Sequence, residues 1–361
     1  AITTGDANTL IGGLAGDAIT TGAKNVALGK NSLGANTAGN KAVAIGTDAL
    51  ATQNITADGD SFNVAVGYQA GTAVTTGTLN TLVGGLTGDA LTDGNQNVAV
   101  GYSALSAEIR GDKNIAIGAG ALQVQSNSTD VDAFNVAVGH AAGAAITTGI
   151  FNTLIGGLAG DALTDSDRNV AVGYFALSSD TLGTRSVAIG QAALTSQNFT
   201  TATNTYNVAV GHGAGENVTT GVENTLIGAL AGDALTNSDE NVAVGYQALS
   251  SDTLGQYSLA IGRSALAAQN FTTATSTYNT AVGYVAGNAV TTGIENTFLG
   301  AGAGDALTDA DFNTALGSFA LSADTLGSRS VAIGRRSLFA QNFTTATDTY
   351  NTAVGYEAGV A

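Results

Sequence analysis

Short acidic turns are the stretches of this sequence whose residue types could hold a cation. Asp165 and Asp167 alternate with a serine, and the same arrangement of oxygen-bearing side chains returns at Asp239, Asp309 and Asp311. Alternating oxygen ligands are typical of calcium loops. The turns lack the glycine and the downstream bidentate glutamate of an EF-hand. We therefore expect solvated acidic turns and no cofactor, with calcium as the alternative.

Catalytic groups are scarce. The sequence has two histidines, His140 and His212, and no cysteine, so a Ser-His-Asp or Cys-His arrangement has little to be built from. One aspartate column recurs every 72 residues, and we expect its members to bond backbone amides in turns. The sequence predicts a protein that is not an enzyme. The column consists of Asp17, Asp89, Asp161, Asp233 and Asp305.

A third recurring feature is a longer loop that carries an Asn-Phe-Thr phrase. Because it adds residues to an otherwise fixed repeat, we expect it to project from one edge and to provide contacts for a receptor or glycan. Each phrase is also an Asn-x-Thr glycosylation pattern, as is that at Asn54, although plain turn residues are the preferred interpretation. The projecting residues are Asn198, Phe199, Thr200, Asn270, Phe271, Asn342 and Phe343.

The element that must position all these residues is a five-residue phrase such as Asn97-Val98-Ala99-Val100-Gly101. Twenty copies occur, and their closing glycines are separated by steps of 17, 17, 21 and 17 residues that sum to 72. Self-similarity at a fixed period is the signature of a solenoid, in which each repeat packs on its neighbours. We predict one elongated repeat domain over 1–361, a segment of a longer chain.

Alternation within the phrase indicates a strand. Val98 and Val100 point to one side and Ala99 to the other, so that both faces are apolar and both are expected to be covered. We expect the Val/Ile/Leu face to supply most of the burial and the Ala/Gly face to allow close backbone approach. No helical period is present. The predicted fold is all-β: a parallel β-solenoid of about twenty rungs of 17 or 21 residues.

Asparagine opens most copies of the phrase. One column of asparagines at the spacing of the rungs predicts a ladder of side-chain amides that hydrogen-bond along the stack. We expect this ladder to be structural. Its members include Asn63, Asn97, Asn135, Asn169, Asn207 and Asn241.

The charge excludes several classes of partner. With 28 acidic and 11 basic residues, the net charge is −17 at pH 7. This charge repels phosphate backbones and anionic membrane surfaces, so we expect neither nucleic acid nor membrane binding. No apolar run is long enough to predict a membrane-spanning segment here.

The phrases at Ser186-Val-Ala-Ile-Gly190 and Ser330-Val-Ala-Ile-Gly334 resemble the head repeats of trimeric autotransporter adhesins. Asn279-Thr-Ala-Val-Gly-Tyr284 is similar to repeats in phage tail fibres and large bacterial surface proteins. The resemblance covers the whole chain. It implies a left-handed parallel β-roll, usually with three chains packed side by side.

These observations predict a structural fibre segment of an extracellular surface adhesin or filament. The alternatives are a phage tail-fibre shaft and a module that binds a receptor or glycan through its long loops. The expected location is the cell surface or a virion tail fibre. The expected partners are further copies of this chain, as a trimer or an end-to-end filament.

Overall fold

The computed structural model describes residues 2–360, and these contain strands, turns and no helix. They form a β-solenoid of about twenty coils, which confirms the predicted all-β fold. A coil here means one three-residue strand together with the turns that lead to the next strand. Ala1 and Ala361, the first and last residues of the predicted domain, lie outside the described residues.

The three-residue strands fall on the repeated phrase. They begin one residue after the asparagine or its replacement and end one residue before the closing glycine. They are β1 (Thr9–Ile11), β2 (Val26–Leu28), β3 (Val43–Ile45), β4 (Val64–Val66), β5 (Thr81–Val83), β6 (Val98–Val100), β8 (Ile115–Ile117), β10 (Val136–Val138), β11 (Thr153–Ile155), β12 (Val170–Val172), β14 (Val187–Ile189), β16 (Val208–Val210), β17 (Thr225–Ile227), β18 (Val242–Val244), β20 (Leu259–Ile261), β22 (Thr280–Val282), β23 (Thr297–Leu299), β24 (Thr314–Leu316), β26 (Val331–Ile333) and β28 (Thr352–Val354).

Eight two-residue strands lie in and next to the longer coils. They are β7 (Gly111–Asp112), β9 (Val131–Asp132), β13 (Gly183–Thr184), β15 (Thr203–Asn204), β19 (Gly255–Gln256), β21 (Thr275–Ser276), β25 (Gly327–Ser328) and β27 (Thr347–Asp348). Short parallel ladders pair β7 with β9, β19 with β21, and β25 with β27.

The chain divides into two compact units, Ala1–Thr184 and Arg185–Ala361. In each unit ten three-residue strands pair in parallel, in chain order and without a slip in register. In the first unit, for example, Val98 lies opposite Ile115 and Ala99 opposite Ala116. Every partner is one repeat step away, so the 17- and 21-residue steps each complete one coil.

The closing glycine of each phrase is required because the backbones of neighbouring coils approach each other closely there. All twenty have φ between +124° and +149°, a region that disfavours side chains. A Cβ atom added at Gly101 would lie 2.6 Å from the carbonyl oxygen of Gly118 in the next coil. The repeated glycine therefore follows from both conformation and space.

The two faces of each strand differ from the expected arrangement. Ala99 is fully buried, whereas Val98 and Val100 on either side of it are half-buried. Within the described chain, the expectation that the Val/Ile/Leu face supplies most of the burial is therefore wrong. The chain itself does not cover this face, and the expectation that both faces are covered stays a prediction. The middle residue of each strand points into the coil, and the first and third residues point outward.

Large side chains occupy two inner columns, one at mid-strand and one six residues later. Ten of the fifteen coils with alanine in mid-strand have leucine six residues later, and the other five have glycine there. Ala99 and Leu105 are an example of the first kind, and both are fully buried. A coil with leucine in mid-strand has glycine there instead, as with Leu154 and Gly160. A Cβ at Gly160 would lie 2.8 Å from Leu154 Cδ2. A large side chain in the first column thus leaves no room for one in the second column of the same coil.

Candidate functional site

The outward side of the three-residue strands is the most continuous surface feature in each unit. Its two columns, at the first and third strand positions, hold Val, Ile, Leu and Thr at all forty positions and no charged residue. We call these two columns the outer face. Several members are well exposed in the single chain, including Ile155 at 40% and Leu299 at 46%. Exposed apolar surfaces of this extent mark interaction sites.

Two further columns flank the outer face. The rim column is the residue before each ladder position, and the tyrosine column is the residue after each closing glycine. Together they hold nine of the eleven basic residues and only three of the 28 acidic ones, Glu223, Glu240 and Glu295. The basic members are Lys24, Lys41, Lys113, Arg168, Arg185 and Arg329 in the rim column, and Lys30, Arg263 and Arg335 in the tyrosine column.

Stacking and ion pairs order the rim column. Lys113 Nζ lies 2.6 Å from Asp132 and 5.0 Å from the centre of the Phe134 ring. The same trio recurs 72 residues earlier, where Lys41 contacts Asp60 and Phe62. These contacts are exposed, so each adds little stability, but together they fix the edge of the outer face.

The six predicted ladder asparagines lie inside the coils and are fully buried. Each of the six predicted members donates its side-chain amide to a backbone carbonyl fourteen residues later, at 2.7–2.9 Å. The amide oxygen of Asn97 accepts the backbone N–H of Asn114 in the next coil at 2.9 Å. The bonding thus alternates between side chain and backbone, where a purely amide-to-amide ladder was expected. A direct amide contact, as from Asn97 to Asn80 at 3.2 Å, is the weaker component.

The phenylalanines of the long loops do not project. Phe199 and Phe271 are buried, at 6% and 7% exposure, and Phe343 is half-buried. Only the polar members of the predicted loop set, Asn198, Thr200, Asn270 and Asn342, are exposed. The extra residues form the short ladders described above, because pairing satisfies backbone groups that a free loop would leave to solvent. The expectation of projecting Phe side chains is wrong.

Buried carboxylates hold these long segments, and sequence reasoning missed them. Asp252 is fully buried and accepts the backbone N–H of Gly255 at 3.0 Å and of Phe271 at 3.1 Å. Its second oxygen accepts Gln269 Nε2 at 2.5 Å. Glu108 and Asp324 do the same in their own repeats. Their 72-residue spacing was a signal that could have identified them.

The calcium candidates each bond the preceding coil. Asp165 and Asp309 accept a threonine hydroxyl at 2.6 Å. Asp167, Asp239 and Asp311 accept backbone N–H groups at 2.8–2.9 Å. Within residues 2–360 no group of three or more His, Cys, Asp or Glu side chains could hold a metal ion. The contacts give these carboxylates a role in joining neighbouring turns, and calcium binding stays untested.

Four members of the aspartate column have raised pKa values. Burial raises the pKa of Asp89, Asp161, Asp233 and Asp305, and a hydrogen bond to each residue's own backbone amide offsets this in part. In the described chain, Oδ1 of each is buried without a hydrogen-bond partner. Ionisation of these four carboxylates therefore costs stability.

No helix among residues 2–360 is long and apolar enough to cross a membrane. A scan against protein-family models finds no family that matches the chain, and a search of curated proteins finds no significant match.

Proposed function

We propose that this chain is a structural segment of an extracellular fibre on a cell surface, as in an adhesin or surface filament. In this proposal copies of the chain associate side by side through their outer faces, and the assembly catalyses no reaction. The observation that carries the proposal is the outer face, which is apolar or threonine at every position and is left uncovered by the chain itself. The resemblance to adhesin head repeats suggests three chains.

The size of the outer face is sufficient for a stable interface. Ten strands at ~4.8 Å and a width of roughly 10 Å give about 500 Å² in each unit, and about 1,000 Å² per chain. Standard protein interfaces bury about 800 Å² per partner. The estimate therefore supports association of identical chains.

The charge distribution supports the same interface. A net charge of −17 opposes self-association in general. The outer face carries no charge, however, and only three acidic residues lie in the columns that flank it. Most of the repulsive charge is thus kept away from the proposed contact.

Light scattering at several concentrations tests the proposal. We expect the mass to level off at three times the 35.4 kDa chain mass as the concentration rises. A single-chain mass would contradict it. A mass that grows without limit would instead favour the end-to-end filament.

The alternative of a receptor- or glycan-binding module loses support, because Phe199 and Phe271 are buried. A phage tail-fibre shaft shares the proposed assembly and differs in its location, on a virion. Replacing the exposed Asn270 and Thr272 with alanine tests whether the loops contribute to assembly, separately from any role in recognising a receptor or glycan. We expect the mass of the assembly to stay unchanged.

A further inference from the structure

The tyrosine column alternates aromatic and other residues. From Tyr68 the column continues as Gly85, Tyr102, Ala119 and His140, one residue per coil. Rings in alternate coils are separated by two strand spacings, about 9.6 Å along the stack. The intervening position decides whether the space between two rings is filled or open.

Two of the tyrosine rings cover the tyrosine-column residue of the preceding coil. A Cβ built at Gly85 would meet the Tyr102 ring at 3.7 Å, and one at Gly157 would meet the Tyr174 ring at 3.5 Å. Each of these tyrosines thus leans over the glycine of the coil before it. The space that remains open lies on the other side of the ring, above the coil that follows.

At Ala119 this space is an open cleft of about 250 Å³. Tyr102 and His140 form its two ends, and Ala119 with Gly120 forms its floor. Ser103, Gln123 and Ala141 complete the lining. Tyr102 and His140 are both exposed, so the cleft is accessible from solvent.

The equivalent space in a later repeat contains a side chain of the protein itself. Arg263 takes the position of Ala119, and its guanidinium carbon lies 5.8 Å from the ring centres of both Tyr246 and Tyr284. Arg335, one repeat later, lies 5.8 Å from Tyr356. The column therefore holds one guanidinium group between two rings, at Arg263, and one beside a single ring, at Arg335.

We propose that the cleft at Ala119 binds an arginine side chain of a partner protein. A cation placed midway between Tyr102 and His140 would lie within about 6 Å of both rings, the range of cation–π attraction. Gln123 Oε1 lies at the floor, 3.5 Å from where a Cβ on Gly120 would stand, and can accept a guanidinium N–H. A planar, weakly hydrated guanidinium suits this site better than an ammonium. The site does not depend on the proposed fibre function.

Titration of the full chain with N-acetylarginine amide tests this site by NMR, with labelled tyrosine and histidine rings. We expect saturable shifts of the Tyr102 and His140 ring signals, with a dissociation constant in the millimolar range or weaker. N-acetyllysine amide should bind more weakly. Equal or tighter binding of the lysine compound would overturn the assignment to guanidinium.

Three substitutions make the test independent of the affinity. Ala119→Arg fills the cleft as Arg263 fills its own, and we expect it to abolish the titration shifts. Thr47→Arg adds the same charge to the same column outside the cleft and should leave them unchanged. Arg263→Ala opens the equivalent space, and we expect new saturable shifts at Tyr246 and Tyr284.

Three results would overturn the proposal. The first is no saturable shift in the unaltered chain, and the second is a shift that persists in Ala119→Arg. The third is an equal loss in Ala119→Arg and Thr47→Arg, which would indicate charge repulsion instead of a filled cleft.

Discussion

The inward and outward sides of the same three-residue strands are both apolar, yet the chain buries only the inward side completely. Leu154 points inward and is fully buried, whereas its neighbour Ile155 points outward and is 40% exposed. The inner side is completed by the chain's own turns. The outer side has no such cover within the described chain. A regular apolar pattern on both sides of a strand therefore does not show which side the chain itself buries.

The inner side is also the more constrained of the two. Its leucines fit only where glycines leave room, and its asparagines bond the next coil at fixed distances. The outer columns exchange Val, Ile, Leu and Thr freely. This difference predicts that substitutions inside change folding and that substitutions outside change association.

The largest effect is expected from the closing glycines. Gly101→Ala places a Cβ 2.6 Å from Gly118 at a φ of +138°, so we expect a loss of roughly 3–6 kcal/mol of unfolding free energy. Gly85→Ala is the control, because its Cβ would meet nothing nearer than 3.7 Å. Urea denaturation followed by circular dichroism measures both. Equal stability of the two variants would contradict the close approach of the coils.

The pair Leu154→Ala and Ile155→Ala compares the two sides directly. Leu154→Ala leaves a cavity in a fully buried site, with an expected loss of about 2–5 kcal/mol. Ile155→Ala removes partly exposed atoms and should cost about 1 kcal/mol in the isolated chain. The measurement is thermal unfolding at a concentration low enough to separate the copies. A larger loss from Ile155→Ala would reverse the assignment of the two sides.

The ladder can be broken at a single residue. Asn97→Ala leaves the carbonyl of Gly111 and the N–H of Asn114 without their side-chain partner, at an expected cost of about 2–4 kcal/mol. Hydrogen exchange should show faster exchange of the Asn114 amide. Asn198→Ala, at an exposed position, is the control. Unchanged protection at Asn114 would show that the ladder bond is dispensable.

The smallest effect concerns the aspartate column and pH. Burial raises the pKa of Asp161 in the folded chain, so the folded state binds its proton before the unfolded state does. Its contribution to stability therefore grows as pH falls through the raised pKa towards 3.8, and is lost as pH rises. Asp161→Asn should stabilise the chain at pH 7 by less than about 1 kcal/mol, with the gain disappearing in acid. Melting temperatures of both proteins across pH 3–7 provide the measurement, and a gain that is constant with pH would contradict it.

The repeat made the fold predictable. The 17- and 21-residue steps gave the coils, and the alternation in Asn97–Gly101 gave the strand and its neighbours. The sequence did not show which side of the strand faces the interior of the coil, because Val98 and Ala99 are both apolar. Which side faces inward depends on the width of the coil interior, which is set by Leu105 and the other turn residues packed opposite.

The site was less predictable for a related reason. The loop residues Phe199 and Phe271 belong to extra sequence, and extra sequence is usually exposed. Here buried acceptors such as Asp252, distant in sequence, bond the segment into a short ladder. The cleft at Ala119 was missed in the sequence. It arises because the small Ala119 side chain leaves space between Tyr102 and His140, which lie two coils apart.

The central claim is that further copies of this chain cover the outer face. Because the sequence has no cysteine, Ile155→Cys introduces a unique thiol on that face. Its rate of reaction with a soluble maleimide, compared with that of the exposed Asn198→Cys, measures the cover directly. We expect Ile155→Cys to react at least tenfold more slowly, and to lose this protection on dilution. Equal rates at high protein concentration would contradict the claim.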